Sequence, residues 1–432
     1  PLTGQCWCSP RTNRSFPKKI YPHTFQKVKG VGVYLDCASG TEANPSSIHS
    51  AGVQARLKLE KARTEIAKVL SVRPEEIIFT SGGTESNNLA ILGLIHLTPS
   101  PLSLLRRGVG ERSLQHIVTT NIEHASVLEV CKYLERTKQA EVTYVEVENN
   151  GIVDPKKIKK AIRANTVLVS VMYANNEIGT VQPIRKIAKE IRHYKKTHLT
   201  RLRHPLLSKE RAGERFPVFH TDAVQAVNYL PIRIPELGVD LMSLNSAKIY
   251  GPKGIGALYV KKGTPLRSIM FGGNQEMGLR PGTENVASIL EFSKALQTVE
   301  KIKAKEVKRL TKLRDYFLNK LKYSNILNNV IMLINGDLQN RLPNNVNMTI
   351  PKIPSDLLVI ELSARGIMAS AKSACKAGDG KASYVIQAIN KNIKEEDGSL
   401  RFSLGRETTK ADIDYTVKAL SEILTKLKKW YN

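Results

Sequence analysis

The strongest constraint in this sequence is an alternation. From Val31 to Val260, short apolar runs rich in β-branched residues alternate with amphipathic stretches of helical period. The runs predict strands at Glu76–Thr80, His116–Thr119, Glu141–Val147, Val167–Tyr173, Val218–Thr221, Leu241–Ser243 and Gly256–Val260. Between them the period predicts helices at Thr84–Leu94, Ala125–Arg136, Pro155–Arg163 and Ile184–Tyr194. Strands that are apolar on both faces need cover on both faces, and a strand–helix–strand order supplies it. The expected fold class is therefore α/β, a mostly parallel sheet sandwiched by helices, with a smaller α+β domain. In such sheets ligands sit beyond the carboxyl ends of the strands.

After about residue 300 the texture changes. A Lys-rich helix over roughly Lys294–Lys322 leads into a second α+β region that ends in a helix over Lys410–Lys429. The expected division is a basic extension over residues 1–30, a large α/β domain over 44–303, and a small domain of 31–43 plus 304–432. Two Pro/Arg/Gly-rich segments, Thr98–Leu114 and Thr197–Pro217, interrupt the alternation between a helix and the next strand. They read as inserted surface loops, because loop-closure entropy rises only slowly with length.

Composition excludes several classes. The 432 residues carry 66 Lys and Arg against 39 Asp and Glu, a net +27. Two thirds of that excess lies in residues 1–30, 192–215 and 299–322. These read as a tail, an insertion and a solvated helix face, so nucleic acid is not the expected partner. Weak, salt-sensitive attraction to polyanions is. No stretch approaches the roughly 18 consecutive apolar residues of a membrane helix, so no membrane partner is expected. Five scattered cysteines, Cys6, Cys8, Cys37, Cys131 and Cys375, include no C-x-x-C pair. That argues against a structural zinc site and suits a reducing compartment, with the cytoplasm expected before an organelle matrix. The first 30 residues are acid-free like a transit segment, but their four prolines break an amphipathic helix.

Five motifs carry chemistry. In IIFTSGGTESNNLAILGL a strand ends at Thr80, a small-residue turn follows, and Thr84 is the expected N-cap of a helix. The N–H groups of Gly83, Thr84 and Glu85 would then form an anion site suited to phosphate. In HTDAVQ, Asp222 follows an apolar strand, where a carboxylate could pair a buried cationic ring nitrogen. In DLMSLNSAKIYGPKGIGALYV, Lys248 lies between a strand and a Gly-Pro-Lys-Gly turn. Among small and apolar neighbours such an amine can be depressed in pKa and form imines. Phosphate cradle, ring-pairing Asp and lysine together describe a pyridoxal-phosphate site. His124 could stack on the ring and Asn176 could bond its phenolic oxygen. In MASAKSACKAGDGKASYV, Cys375 sits between Lys372 and Lys376, which favour the reactive thiolate. In LRFSLGRETT, Arg401 could fork onto a substrate carboxylate.

The stretches NPSSIHSAG, FTSGGTESNNLAI, NNEIGTVQPI, HTDAVQAV, KIYGPKGIGALYV, RPGTENVASI, SAC and LRFSLGRETT occur in one order over roughly residues 31–425. In this the sequence resembles the iron–sulfur-cluster type of cysteine desulfurase within aminotransferase class V. The resemblance implies a fold-type I homodimer with the site at the subunit interface. It implies pyridoxal 5'-phosphate on Lys248, with Gly83, Thr84 and Asn245 near the phosphate. Asp222 would meet the pyridine nitrogen, Gln225 and Asn176 the phenolic oxygen, and His124 the ring face. Thr283 would reach the phosphate of the neighbouring subunit. Asn176 and Arg401 would hold the carboxylate of L-cysteine. Cys375 would take its sulfur as a persulfide, release L-alanine, and pass the sulfur to an acceptor or iron–sulfur scaffold protein.

The chain differs from that pattern in three places. The family usually has Ser/Thr-x-His immediately before the lysine, and here the residues are Asn245, Ser246 and Ala247. A charge-assisted hydrogen bond is worth about 1.5–3 kcal/mol, so loss of the His predicts cofactor binding weaker by roughly ten- to a hundredfold. The segment LDCASGTEANPSS lacks about one helix between Gly40 and Asn44, and the two insertions are atypical. These differences leave two other readings beside the desulfurase: a degenerate homologue acting as a scaffold or regulatory subunit, and a selenocysteine lyase.

Overall fold

The computed structural model describes residues 36, 38, 43–95, 114–199, 216–323, 332–371, 383–394 and 397–428. Cys375, the extension 1–30, residues 39–42 and most of both insertions lie outside the described residues.

The element order is α1 (Ser50–Leu70), β1 (Ile77–Thr80), α2 (Gly83–Ile95), β2 (Gln115–Thr120), α3 (Ala125–Arg136), β3 (Ala140–Val145) and α4 (Pro155–Ala161). It continues with β4 (Thr166–Ser170), α5 (Ile184–Leu199), β5 (Val218–Asp222), α6 (Ile234–Leu237), β6 (Leu241–Asn245) and β7 (Gly256–Val260). Then come α7 (Val286–Tyr323), β8 (Leu333–Ile334), β9 (Asn345–Ile350), α8 (Ser355–Ser363), α9 (Tyr384–Ile389), β10 (Gly398–Ser403) and α10 (Lys410–Lys428).

Strands β1 to β7 form one sheet in the order β1-β7-β6-β5-β4-β2-β3. All neighbours are parallel except β7, which runs antiparallel to both β1 and β6. The α/β expectation holds, and the strand alternation explains the layers. Residues such as Ile77, Phe79, Val118, Val169, Phe219, Met242 and Tyr259 face the core covered by α1, α5 and α7. Their chain neighbours Ile78, Ile117, Leu168, Val218, Leu241 and Leu258 face the core covered by α2 and α3. A side-chain period of two divides each strand between two apolar layers.

The second sheet is antiparallel, β10-β9-β8. Its apolar face, with Val346, Met348, Leu400 and Phe402, packs on Phe317, Leu358, Ile413 and Leu420. Helix α7 joins the two cores. Ile289, Phe292, Leu296 and Val299 belong to the first, and Phe317 and Leu321 to the other. A boundary at residue 303 would fall inside this continuous helix.

The element ends differ from the sequence reading in small ways. The helix expected to reach Arg163 stops at Ala161, and the strand expected to reach Tyr173 stops at Ser170. The N–H groups of Val171 and Tyr173 still bond the β5 carbonyls of His220 and Asp222, so the apolar run stays in register past the ladder's end. The long helix starts at Val286, eight residues before the expected Lys294, because residues 286–293 carry the apolar face that docks on the first core.

Candidate active site

The polar residues singled out in the sequence gather at the carboxyl end of the parallel strands. The turn after β1 does not place Thr84 as N-cap. Helix α2 starts at Gly83, so Thr84 sits exposed in its first turn, and the first closed backbone bond runs from Ser86 N–H to Gly82 O. The reason is a close approach of chains. Gly82 has φ of +148°, a conformation glycine adopts without strain. A Cβ on Gly256 of β7 would lie 2.7 Å from the Gly82 Cα. The turn therefore lies directly over β7, and the open end of α2 faces the same side as Asn245. Glu85 in that first turn accepts from Ser81 N–H at 2.7 Å and from Arg280 Nε at 3.0 Å. This holds the RPGTEN loop, with exposed Thr283, beside the turn.

Asp222 ends β5 and is 7% exposed. Its Oδ1 accepts from Val224 N–H at 2.9 Å and its Oδ2 from Asn87 Nδ2 at 2.7 Å. Asn87 also donates to Ser126 Oγ at 2.8 Å, and that hydroxyl lies 2.8 Å from His124 Nδ1. The Ser126 N–H donates to the same ring nitrogen at 3.1 Å. Nδ1 is thus an acceptor, and the proton of the neutral ring belongs on Nε2. One chain of bonds runs from Asp222 through Asn87 and Ser126 to His124, the residue that caps α3.

The neighbouring histidine of the HTDAVQ motif has another role. His220 lies fully inside the sheet, 2.8 Å from Ser170 Oγ and 3.0 Å from Ser243 Oγ. Burial pushes its pKa down to about 3. It is a neutral cross-strand tie between β4 and β6.

Lys248 ends a single 3₁₀ turn, Ser246–Lys248, that follows β6. Asn245 caps the turn, its Oδ1 accepting from Ala247 N–H at 3.1 Å. The Lys248 carbonyl accepts from Asn228 Nδ2. The sequence predicts small and apolar neighbours around this lysine, but it is exposed on the protomer surface. The turn carries it beyond the last ladder pair, Asn245 with Gly256. Ser246 beside it is buried, and its Oγ has no partner. Gln225, in the turn after Asp222, is half-buried.

The fourth wall comes from the second sheet. Arg401 of β10 donates from Nη1 to the Asn176 carbonyl at 3.0 Å. Its Nε and the Asn176 Oδ1 are both buried without partners. Burial pushes the guanidinium pKa down, and Glu177 opposes that shift. The Glu177 carboxylate accepts from Ser383 Oγ at 2.5 Å, and its carbonyl accepts from Asn345 and Asn347. Arg401 also exchanges both backbone bonds with Ser370. Ser370 and Ser383 flank the segment that contains Cys375, so both of its ends are tied to the Asn176–Arg401 wall.

Sequence reasoning missed Asn87, Ser126, Glu177 and Ser383. Asn87 had a usable signal: a polar residue four positions after Gly83, on the buried face of an otherwise apolar helix. Among the described residues no group of His, Cys, Asp and Glu could hold a metal ion, and no helix is long and apolar enough to cross a membrane.

The aminotransferase class-V family matches residues 33–200 and 210–416. The chain belongs to this family. Within it, the chain is similar to the cysteine desulfurases. A cysteine desulfurase IscS from Dictyoglomus turgidum is 42% identical over 385 residues, 89% of this chain and 88% of its own. One from Methanosarcina thermophila is 39% identical, covering 89% of this chain and 86% of its own. Among solved structures, a NifS-like protein superposes with a TM-score of 0.74 at 32% identity, covering 90% of this chain and 94% of that one. SspA, solved in complex with cysteine, gives a TM-score of 0.64 at 31% identity over 86% and 93%. The gap in the family match, residues 201–209, falls within the second insertion.

Enzymes of this class use pyridoxal 5'-phosphate. The residues present fit that group. The orphaned Asn87 Oδ1 beside Asp222, with Ser246 Oγ, Asn176 Oδ1 and Arg401 Nε, are buried polar atoms awaiting partners. Buried polar groups are otherwise satisfied in native proteins, so orphans gathered at one end of a sheet mark a place for a polar ligand.

Proposed function

We propose that the chain is a pyridoxal-phosphate-dependent cysteine desulfurase, which takes the sulfur of L-cysteine onto Cys375 and releases L-alanine. The observation that carries this reading is the pair Asn176–Arg401. A partly buried guanidinium with an unused Nε, bonded to the backbone of a residue whose amide oxygen is also unused, suits the carboxylate and amine end of an amino acid.

Lys248 would hold the cofactor covalently, with the Gly83–Thr84 turn and Asn245 at its phosphate. Asp222 would keep the ring nitrogen protonated, braced by Asn87. Gln225 and Asn176 would bond the phenolic oxygen, and His124 would stack on the ring, its tautomer fixed by Ser126. When bound, the cofactor supplies an electron sink for the pair freed at the substrate carbon. Lys248 would carry the Cα proton. The Cys375 thiolate would attack the substrate sulfur. The new S–S bond forms as the Cβ–S bond breaks, and protonation of the carbon completes alanine. Lys372 and Lys376 favour the thiolate by charge. Ala247 cannot supply the hydrogen bond of a histidine, so Ser246 and Asn245 would carry more of the cofactor's hold.

The reading extends to a homodimer and a sulfur-accepting scaffold protein, in a reducing, cytoplasmic setting. Ile48, Leu57, Met277 and Phe271 are large, apolar and 96%, 58%, 53% and 105% exposed. The segments that carry the first three line one cleft. A second copy would cover them and bring its own Thr283 to the phosphate. The division into a large domain over 44–303 and a small domain completed by 304–432 belongs to the same reading.

The test is direct. The purified protein should bind pyridoxal phosphate with a visible absorption band that Lys248→Ala abolishes. It should release alanine from L-cysteine. Cys375→Ser should keep the band and lose sulfide release. A variant that keeps sulfide release at the parental rate removes Cys375 from the reaction.

A further inference from the structure

A cavity of about 470 Å³ opens at the opposite end of the main sheet. Phe219 near the start of β5, Asp240 just before β6 and Lys261 just after β7 line it, whereas the candidate active site lies at the other ends of these strands. Four basic residues line the cavity, Arg73, Arg192, Lys195 and Lys261, and Arg73 Nη1 also lies 3.9 Å from Glu75 outside the lining. Two carboxylates, Glu76 and Asp240, oppose them, and both are committed. The Glu76 oxygens accept from the N–H groups of Arg73 and Lys262, each at 2.9 Å. Asp240 accepts from Phe219 N–H at 3.0 Å and pairs with Lys261 Nζ at 2.8 Å. Lys195 Nζ stands 4.0 Å from its second oxygen, with the side chain 20% exposed. Burial lowers the Lys195 pKa; Asp240 opposes this, and Lys261 and Arg192 reinforce it. Ile191, Ile234 and Val239 give the cavity an apolar floor.

We propose that this cavity is a second ligand site, separate from the catalytic end, for a small phosphate monoester with an apolar or aromatic body. The lining carries two more positive than negative groups. A phosphate monoester carries about −1.5 to −2 at neutral pH, whereas a carboxylate carries one charge. Guanidinium groups match phosphate oxygens in pairs. The volume falls within the roughly 300–1,000 Å³ of small-molecule sites, leaving room on the apolar floor for the body of the ester.

The test is calorimetric titration of the full chain, loaded with pyridoxal phosphate, using phenyl phosphate and AMP as probes. Each should bind saturably, one per chain, and inorganic phosphate at least about tenfold more weakly. Lys195→Gln and Arg192→Gln should each weaken both probes by about tenfold while the cofactor band and basal alanine release stay unchanged. Arg192 is exposed, so its variant keeps the fold even if the Lys195 variant does not. The proposal is overturned if neither probe binds saturably, if inorganic phosphate binds as tightly as the esters, or if both variants bind like the parent.

Discussion

The Arg401 side chain meets Asn176 at its backbone carbonyl, not at its side-chain amide: Nη1 donates to the Asn176 O at 3.0 Å. The Arg401 Nε and the Asn176 Oδ1 are both buried and have no hydrogen-bond partner. The contact sets the guanidinium plane while leaving part of its fork for a ligand. Arg401→Lys keeps the charge but not the fork. It should raise the KM for L-cysteine by roughly tenfold or more, with a smaller change in kcat. Steady-state alanine release is the measurement, and an unchanged KM would remove Arg401 from substrate binding.

Asn87 is the only described side chain that donates to Asp222. Asn87→Ala removes a bond to a charged group worth about 1.5–3 kcal/mol and frees the Ser126–His124 end of the same network. Cofactor affinity, followed by absorbance titration, should fall by roughly tenfold, while the far-ultraviolet spectrum stays native.

The Arg63–Glu276 pair fastens the loop before Thr283 to β1. Both side chains are almost fully buried, and Nη2 meets Oε1 at 2.7 Å. Glu276 also accepts from Phe79 N–H at 2.7 Å, and Arg63 donates to the Ile77 carbonyl. Removing one member of a buried pair costs about 3–5 kcal/mol. Glu276→Ala should lower unfolding free energy by that order in urea titrations, and an Arg63→Met, Glu276→Leu double variant should recover part of it.

Glu123, just before His124, is fully buried and accepts from Thr120 Oγ1 and twice from Met172 N–H. Burial pushes its pKa up to about 8. The folded state therefore binds a proton that the unfolded state has released above its ordinary value. Stability from this group falls as pH rises from about 4.5 to about 8 and is flat above that. Glu123→Gln should flatten this slope and be the more stable protein at about pH 9. Denaturant titrations across that range measure it, and parallel profiles would show that Glu123 is ionised throughout.

The sheet was legible because each strand presents apolar residues at successive positions, and only a doubly covered sheet can bury both faces. Helix α3 and strand β7 fall on the limits the sequence predicts, Ala125–Arg136 and Gly256–Val260. The site was legible as motifs but not as a network. Asp222 and His124 stand out by type and place, whereas Asn87 and Ser126 join them only once α2 and α3 lie on one face of the sheet. Thr84 reads as a cap because residue type alone favours threonine there. The approach of Gly256 to Gly82, a contact between distant segments, moves the start to Gly83. The exposure of Lys248 was illegible for a related reason: its neighbours in sequence are small and apolar, but the turn faces outward.

Helix α7 has a mechanical consequence. Its 38 residues span about 57 Å at the standard rise, with one end embedded in each core. It contains no glycine and no proline, the residues at which helices most often bend. Such a strut resists flexing between the lobes, so wide clamshell motion is an expensive route for admitting a substrate. Access is cheaper at the rim, where short connections can rearrange while the frame stays still.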